Sequence, residues 1–403
     1  MNRRGLALKL LGIPVIAVMA AACSPKKTEE QRTPETMATY EELQSLTAEL
    51  QAEIAALMEE SKEGDAASIV IPPGLFLRGL PQGSGTAEDP FLIYTEADLR
   101  AVSSTHFAKS HYRLMADITL TGDNDSDPGN GNWTPIGGSE GFFGVFDGGG
   151  HTITGLRINV PDNFPVYTSA GMFGSIDTNS RVENLGLIDV SITAGTQGIG
   201  GIAGVNYGTI QNCFVTGSIG DTITKGGIAG SNTRDGTIRN CYFAGRVFHR
   251  REGVSPVSGG IAGVSGGVVS NCVSLAESVT EEPQTAAGRV IGENRISEWD
   301  GTLVNNYGWS GTTTGQTYLY YVAVPSSSDP AGKDGADLTA AELKTRAAWE
   351  RAGFSFGANS VWVWNGANGM PSLRNQMVVV PWPAYLENPA IAVPSPNMDE
   401  TGY

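Results

Sequence analysis

The sequence predicts an all-β fold, a parallel β-helix, and three observations lead to this prediction. A phrase Gly-Gly-Ile-Ala-Gly followed by Asn-Cys recurs three times, with one degenerate copy before it and one after it. The last glycine of the phrase falls at positions 174, 204, 230, 263 and 292, a period of 26 to 33 residues. Periods of this length are typical of solenoids. Glycines and β-branched residues in each copy disfavour helical repeats and favour strands.

Aligning the copies on the Asn reveals two columns of side chains. The residue two positions before the Asn is apolar in all five copies: Val182, Ile210, Ile238, Val269 and Leu303. The residue after the Asn reads Leu185, Cys213, Cys241, Cys272 and Asn306. We expect both columns to point inward, and the polar residues between them, such as Gln211 and Arg239, to face water. Each strand should pair in parallel and in register with the equivalent strand of the next coil, about 4.8 Å away.

The Asn column itself is predicted to be structural. Its members are Asn184, Asn212, Asn240, Asn271 and Asn305. Asn tolerates the left-handed backbone of a tight turn, and its amide can bond to the next Asn along the stack. We therefore predict an Asn ladder rather than an active site.

Several of these segments carry a family resemblance. The repeats, the run Gly144–Ile153 (GVFDGGGHTI), the run Trp133–Gly137 (WTPIG) and the segment Gly171–Gly174 (GMFG) resemble bacterial surface proteins built from GLUG motifs. The resemblance spans roughly residues 83 to 375. It implies a β-helical cell-surface protein of a kind often suspected of adhesion, and it supplies no catalytic residues. Arg289 replaces the second glycine of the last phrase, so the final unit is expected to be a worn, terminal coil.

The N-terminus has the pattern of an export signal. A basic start and an apolar run at 10–21 make residues 1–22 a signal peptide, and the sequence Ala-Ala-Ala before Cys23 resembles a lipobox. Cys23 would then carry the lipid, and Ser24 after it favours the outer membrane of the cell envelope, with the protein exposed at the surface. An ordinary signal peptide, a membrane helix and a twin-arginine signal are the alternatives.

The rest of the chain divides into three parts. Residues 23–68 are predicted to form a tether and a helical stalk, with a helix at 39–62 in which leucines recur every seven residues. That helix could pair with a second copy or lie against the end of the solenoid. Residues 69–375 form the β-helix, with short capping helices that begin after Thr95 and at Thr339. Residues 376–403 are rich in proline and are expected to be an extended tail.

Composition limits the partners. The 403 residues carry a formal net charge of −16 and only four His. Nucleic acid is disfavoured as a partner, because its phosphates require a basic patch. No cofactor is indicated apart from calcium: Asp123, Asp125 and Asp127 alternate as in the start of an EF-hand loop. Pro128 stands where that loop requires Gly, so a polar surface turn is the competing and preferred interpretation.

Two further groups could carry chemistry, and each has a structural interpretation. Cys213, Cys241 and Cys272 could form a disulfide or hold a soft metal, but Leu185 in the same column favours hydrophobic packing. Asp147 and His151 resemble the acid and base of a polysaccharide-cleaving β-helix. The absence of a cluster of paired Asp residues in the sequence favours a scaffold role for them, and no catalytic residue is assigned.

The predicted binding residues are Phe214 and Tyr242. They occupy equivalent outward positions, where stacked exposed rings could hold a sugar or a protein, or could pack under a loop. The sequence therefore predicts a lipid-anchored surface β-helix that binds a glycan or a host protein. A polysaccharide lyase or hydrolase and a structural component of a surface layer are the alternatives.

Overall fold

A computed structural model describes residues 82–104, 110–121, 131–138, 140–160, 169–194, 198–249, 256–281, 286–296, 299–316, 322–323 and 328–387. It confirms the parallel β-helix, which has about six coils. The signal peptide, Cys23, the helix predicted at 39–62 and the candidate calcium ligands Asp123, Asp125 and Asp127 lie outside the described residues. Within them, none of the helices is both long and apolar enough to cross a bilayer.

Four sheets form the walls of the solenoid, with strands numbered along the chain, and their strands are parallel except for the antiparallel pair β29–β30 at the side of sheet 2. Sheet 1 contains β1 (Phe91–Ile93), β2 (Ser110–Leu114), β4 (Gly144–Asp147), β9 (Arg181–Glu183), β13 (Thr209–Gln211), β17 (Thr237–Arg239), β21 (Val268–Ser270) and β27 (Thr302–Val304). Sheet 2 contains β3 (Ile118–Thr119), β5 (Thr152–Thr154), β6 (Arg157–Val160), β10 (Gly186–Ala194), β14 (Phe214–Gly220), β18 (Tyr242–Phe248), β22 (Val273–Glu281), β28 (Tyr307–Trp309), β29 (Thr313–Gln316), β30 (Val322–Ala323) and β31 (Ala336–Leu338).

The two remaining walls have five strands each. Sheet 3 contains β7 (Ser169–Ala170), β11 (Gly198–Gly200), β15 (Thr224–Gly226), β19 (Val257–Gly259) and β23 (Ala286–Gly288). Sheet 4 contains β8 (Phe173–Ile176), β12 (Ala203–Asn206), β16 (Ala229–Asn232), β20 (Ala262–Ser265) and β24 (Ile291–Glu293). Each of the five repeat copies therefore forms one full coil, which passes through sheets 3, 4, 1 and 2 in that order.

The remaining elements lie beside or after the coils. They are two antiparallel hairpins, β25 (Arg295–Ile296) with β26 (Trp299–Asp300) and β32 (Trp362–Asn365) with β33 (Met370–Leu373), the helices α1 (Glu96–Ser104), α2 (Ala340–Leu343) and α3 (Arg346–Arg351), and a 3-10 turn at Ala384–Leu386. Helices begin where they were predicted, after Thr95 and Thr339. Thr95 and Asp98 exchange hydrogen bonds as a capping box at the start of α1, and Thr339 and Glu342 form a second capping box at α2.

The register predicted from the Asn alignment is confirmed. Ile210 lies between Val182 and Ile238 in sheet 1, and all three side chains are fully buried. The column after the Asn is also buried, from Leu185 to Asn306. In-register stacking thus places equivalent side chains of successive coils in contact with each other, and they form one continuous apolar core.

Two glycines of the repeated phrase allow sheets 3 and 4 to pack closely. A Cβ atom added at Gly226 in sheet 3 would lie 2.6 Å from the Cα of Ala262 in sheet 4, and one added at Gly230 in sheet 4 would lie 2.7 Å from the backbone nitrogen of Ile199 in sheet 3. Real Cβ atoms do not approach other atoms so closely, so no larger residue fits. The phrase therefore recurs along the chain because backbones meet there.

The second glycine of the phrase, Gly227 in the third copy, is required for a different reason: it leaves room for a side chain from the opposite wall. A Cβ at Gly227 would overlap the ring of Phe243 and the carbonyl oxygen of Gly260. In the last coil the sizes are exchanged: Arg289 takes the glycine position, and the residue opposite is Gly308, whose added Cβ would lie 2.9 Å from Arg289 Nε. A large residue on one wall thus faces a small one on the other.

Arg289 closes the solenoid rather than marking a worn repeat. Its side chain is 1% exposed, and its guanidinium donates to the carbonyl oxygens of Asp334 and Gly335 at 3.1 Å each. It also pairs with Asp337 at 2.6 Å. The segment that supplies these acceptors forms the last half-coil, so the arginine joins that segment to the stack.

The C-terminal residues do not continue along the solenoid axis. Residues 339–387, here called the strap, run back along the outer side of sheet 2 and form a second apolar core against it. The expectation that everything beyond Gln376 is an extended tail is wrong for residues 376–387, because Val380 is 6% and Leu386 is 1% exposed. The prolines of residues 376–387 disfavour helices and strands there, but their apolar side chains still pack against the coils and the rest of the strap.

Candidate functional site

The predicted binding rings, Phe214 and Tyr242, are stacked but covered. Their ring centroids are 5.0 Å apart with planes at 4°, as expected for equivalent outward positions in register. Both side chains are nevertheless fully buried, because Trp349 and Trp362 of the strap pack on Tyr242 at 5.5 and 5.7 Å. The packing alternative is therefore correct, and these rings offer no open surface to a ligand.

Polar contacts fix the strap at intervals along the stack. The Tyr242 hydroxyl donates to the Pro371 carbonyl at 3.1 Å, and the Tyr385 hydroxyl donates to the Leu275 carbonyl at 2.7 Å. Burial raises the pKa of both phenols above the usual value. Near the start of the solenoid, Asn375 Nδ2 donates to the Gly149 carbonyl at 2.7 Å. The strap thus spans early and late coils.

The left-handed Asn column is confirmed, and amide bonds join two of its four neighbouring pairs. The five residues have φ between 52° and 56°, the left-handed region that Asn tolerates. Asn212 Nδ2 donates to Asn184 Oδ1 at 3.1 Å, and Asn305 Nδ2 donates to Asn271 Oδ1 at 2.8 Å. Asn240 instead donates to the Gly353 carbonyl of the strap at 2.7 Å. Asn305 Nδ2 also donates to the Arg351 carbonyl of the strap at 3.1 Å. The ladder is structural, and the strap accepts from two of its amides.

A second ladder lies inside the solenoid and was not predicted from the sequence. Asn206 Nδ2 donates to Asn232 Oδ1 at 2.8 Å, and Asn232 Nδ2 donates to Ser265 Oγ at 3.2 Å. All three side chains are fully buried. They satisfy backbone carbonyls at the corner between sheets 4 and 1, including that of Gly208. The signal in the sequence is an Asn followed by Gly a few positions later in two successive copies.

The three cysteines pack as small core residues. Cys213, Cys241 and Cys272 are free thiols and are fully buried. Each thiol donates to the carbonyl two residues before it, at 3.2 or 3.3 Å. Burial raises the pKa of Cys241 and Cys272 well above the ordinary value. A thiol that stays protonated is a poor nucleophile and a poor metal ligand.

Asp147 and His151 serve the scaffold separately. Asp147 Oδ1 accepts from Gly149 N and from Asn184 Nδ2, both at 2.9 Å, so it ties the Gly-rich turn to the Asn ladder. His151 Nδ1 lies 3.3 Å from Asp117 Oδ1. Asp117, which no sequence pattern singles out, also accepts from Met377 N at 2.8 Å. It therefore fixes the strap, and its carboxylate is occupied with backbone and His151.

No metal centre emerges in the part of the chain that the structure describes, where no three His, Cys, Asp or Glu side chains cluster to hold an ion. The calcium hypothesis for Asp123, Asp125 and Asp127 stays a prediction.

The outer side of sheet 1 is the large wall that the strap leaves uncovered. Its eight strands are in register and carry a polar row along the solenoid. Gln211 Nε2 donates to Glu183 Oε2 at 2.5 Å, Arg239 Nε donates to Gln211 Oε1 at 2.8 Å, and Arg181 pairs with Glu183 at 2.9 Å. The prediction that Gln211 and Arg239 lie on the outer face is confirmed. This row is the candidate functional site.

Comparisons with known proteins agree with this architecture. A sequence model of the GLUG motif matches residues 226–247, which is most of one coil. Over 176 residues, 42% of this chain, the sequence is 33% identical to a halomucin from Haloquadratum walsbyi. Over 136 residues, 33% of this chain, it is 38% identical to a candidate Gly-rich membrane protein from Evansella cellulosilytica. The matched parts cover 2% and 15% of those two relatives.

A solved structure shares the fold. It is a candidate immunoglobulin A1 protease from Bacteroides ovatus, which matches 72% of this chain and 94% of its own with a TM-score of 0.50 and 22% identity. Identity this low shows the fold alone. The chain is thus a parallel β-helix protein that carries a GLUG motif.

Proposed function

We propose that this protein is a lipid-anchored adhesion or ligand-binding protein of the cell surface, and that it binds through the outer side of sheet 1. One observation carries the proposal: the strap covers the outer side of sheet 2, whereas among the described residues the outward side chains of sheet 1, such as Arg181, Arg239 and Thr302, are exposed. A solenoid wall of this kind offers a repeating surface to an extended ligand.

The location is supported by two independent lines. Cys23 follows the pattern of a lipobox in the sequence, and one of the relatives is named as a membrane protein. In a chain with a net charge of −16, attraction to an anionic bilayer is not available, so acyl chains must hold the protein at the membrane.

A binding role is favoured over a catalytic one because the acid–base candidates are engaged elsewhere. Asp147 bonds to the turn and the Asn ladder, and His151 bonds to Asp117. Through these contacts Asp147 and His151 hold the Gly-rich turn and the strap. This structural role explains their presence without a catalytic function.

Two measurements test the proposal. Cells that carry the full-length protein should adhere to surfaces coated with glycans or matrix proteins, and Cys23→Ala should abolish lipid labelling and adhesion together. A Cys23→Ala protein that stays in the membrane fraction without lipid would contradict the anchor. Soluble sugar products released by the wild-type protein, and lost in Asp147→Asn, would identify an enzyme instead.

A further inference from the structure

Two exposed arginines on one coil pair with no carboxylate of the described residues. Arg234 lies in the corner between β16 and β17, and Arg239 ends β17 five residues later. Arg239 donates to the neutral amide oxygen of Gln211, and Arg234 stacks on an aromatic ring. Most other exposed arginines of the described residues face an acid, as Arg157 faces Asp189 at 2.8 Å. In a protein with a net charge of −16, two unneutralised guanidiniums on one coil mark a place for an anion.

An aromatic ring completes this corner. The Arg234 guanidinium carbon lies 3.7 Å from the centroid of the Trp299 ring, which comes from the β25–β26 hairpin two coils further along. Trp299 is 49% exposed, so one face is covered by the guanidinium while the rest of the ring meets solvent. The corner of the coil between them consists of Gly266 and Gly267, which have no side chains.

Hydroxyl groups continue from the corner onto sheet 1. Thr209 and Thr237 are register partners in neighbouring strands. Val268 pairs with Thr237 on one side and with Thr302 on the other, so Thr302 lies two strands beyond Thr237 in the same row. Their side chains are outward and partly or fully exposed. Tyr207, 43% exposed, lies at the same corner one coil before Arg234. The rings of Tyr207 and Trp299, the threonine hydroxyls and Arg234 therefore lie at the edge where the strands of sheet 1 begin, and Arg239 lies at the other end of β17.

We propose that this side of sheet 1 binds an acidic glycan that crosses β17, with a sugar ring stacked on Trp299 and anionic groups held by Arg234 at one edge and by Arg239 at the other. The inference rests on the proposed function and specifies its ligand. A stacked ring contributes contact area to a sugar face, and a guanidinium binds carboxylate or sulfate through paired hydrogen bonds. A protein partner is disfavoured, because the exposed rings are isolated within a polar row and do not form the contiguous apolar patch of an interface core.

The experiment uses the full-length protein in detergent and three polymers: polygalacturonate, which carries carboxylates, dextran sulfate, which carries sulfates, and neutral dextran. We expect one or both acidic polymers to bind and neutral dextran not to bind. Trp299→Ala and the pair Arg234→Gln with Arg239→Gln should each weaken binding by at least about tenfold. Arg346→Gln is the matched control, because Arg346 is an exposed arginine on the strap that pairs with Glu350.

Binding by only one acidic polymer identifies the anionic group and supports the proposal. Equal binding of neutral dextran, wild-type affinity in the arginine pair variant, or an equal loss in Arg346→Gln would overturn it. If Trp299→Ala lowers the thermal midpoint, its effect on binding could come from unfolding, and the polymer affinity of Arg239→Gln then tests the proposal. This variant is suitable because Arg239 bonds to the side chain of Gln211 and not to the hairpin.

The adhesion assay separates this ligand from the function on which it rests. Cells that adhere although no acidic glycan binds would refute this ligand and leave the adhesion function standing, whereas cells that do not adhere would refute the function itself. Adhesion to a matrix protein that is lost in Trp299→Ala would assign the corner to a protein partner and overturn the glycan.

Discussion

Gly227→Ala adds only one methyl group, but it should destabilise the solenoid strongly. The added methyl group would overlap both the Phe243 ring and the carbonyl oxygen of Gly260. The backbone φ of Gly227 is not in the left-handed region, so the cost comes from lack of space and not from backbone strain. Overpacking a well-packed core costs about 1–3 kcal/mol. We expect the upper end, about 3 kcal/mol, because one obstacle is backbone and cannot rotate away.

Urea unfolding followed by circular dichroism measures this cost. The control is Gln211→Val, on the partly exposed row of sheet 1, which should change the free energy of unfolding by less than about 0.5 kcal/mol. A double-mutant cycle with Phe243→Ala tests the cause, because removal of the ring frees part of the space. The two substitutions together should cost less than the sum of their separate costs. Strict additivity, or equal small losses for Gly227→Ala and Gln211→Val, would refute the size match between the two walls.

Three other predictions follow from the described contacts. Cys241→Ala should cost about 1–3 kcal/mol through the cavity that it leaves. The buried thiols should resist alkylation until the protein unfolds, and fast alkylation of the folded protein would contradict the buried column. Because burial raises the pKa of Cys241 and Cys272, stability should fall as the pH rises above about 8.5, where these two thiols ionise in the unfolded chain first. Trp362→Ala should cost about 3–5 kcal/mol and reduce the near-ultraviolet circular dichroism of the strap, whereas Val363→Ala, on the exposed side of the same strand, should change little; similar losses in both would mean that the strap does not form a packed core. Asn212→Ala should be less stable than Asn212→Gly by about 1–2 kcal/mol, because the site has a φ of 53° that only glycine and asparagine adopt readily; equal midpoints in thermal unfolding would argue against a left-handed turn.

The predictable part of this protein is its stack. Coils that contact only their neighbours repeat the same contacts, so the inward columns, the Asn ladder and the register could be derived from residues about 30 positions apart. Cys213 illustrates this: the repeat alone predicts a core position for its column, and the structure confirms full burial.

The candidate site could be predicted only in part, because alternation specifies which side of a strand a residue takes and not what lies on that side. Phe214 and Tyr242 were placed correctly on the outer side of sheet 2, but the residues that cover them come from elsewhere, as the bond from Tyr242 to Pro371 across 129 positions shows. Likewise, Trp299 contacts Arg234 from a hairpin that belongs to the coil two positions further along the stack. Neither contact repeats with the period of the coils.

The sequence by itself therefore determined the β-helix, its register and the inward columns, because these arise from a local pattern that each coil repeats. The tertiary structure alone decided which wall is open. The strap is a non-repeating segment that buries Trp349 and Trp362 against sheet 2, whereas Arg239 and other outward residues of sheet 1 are exposed in the part of the chain that the structure describes.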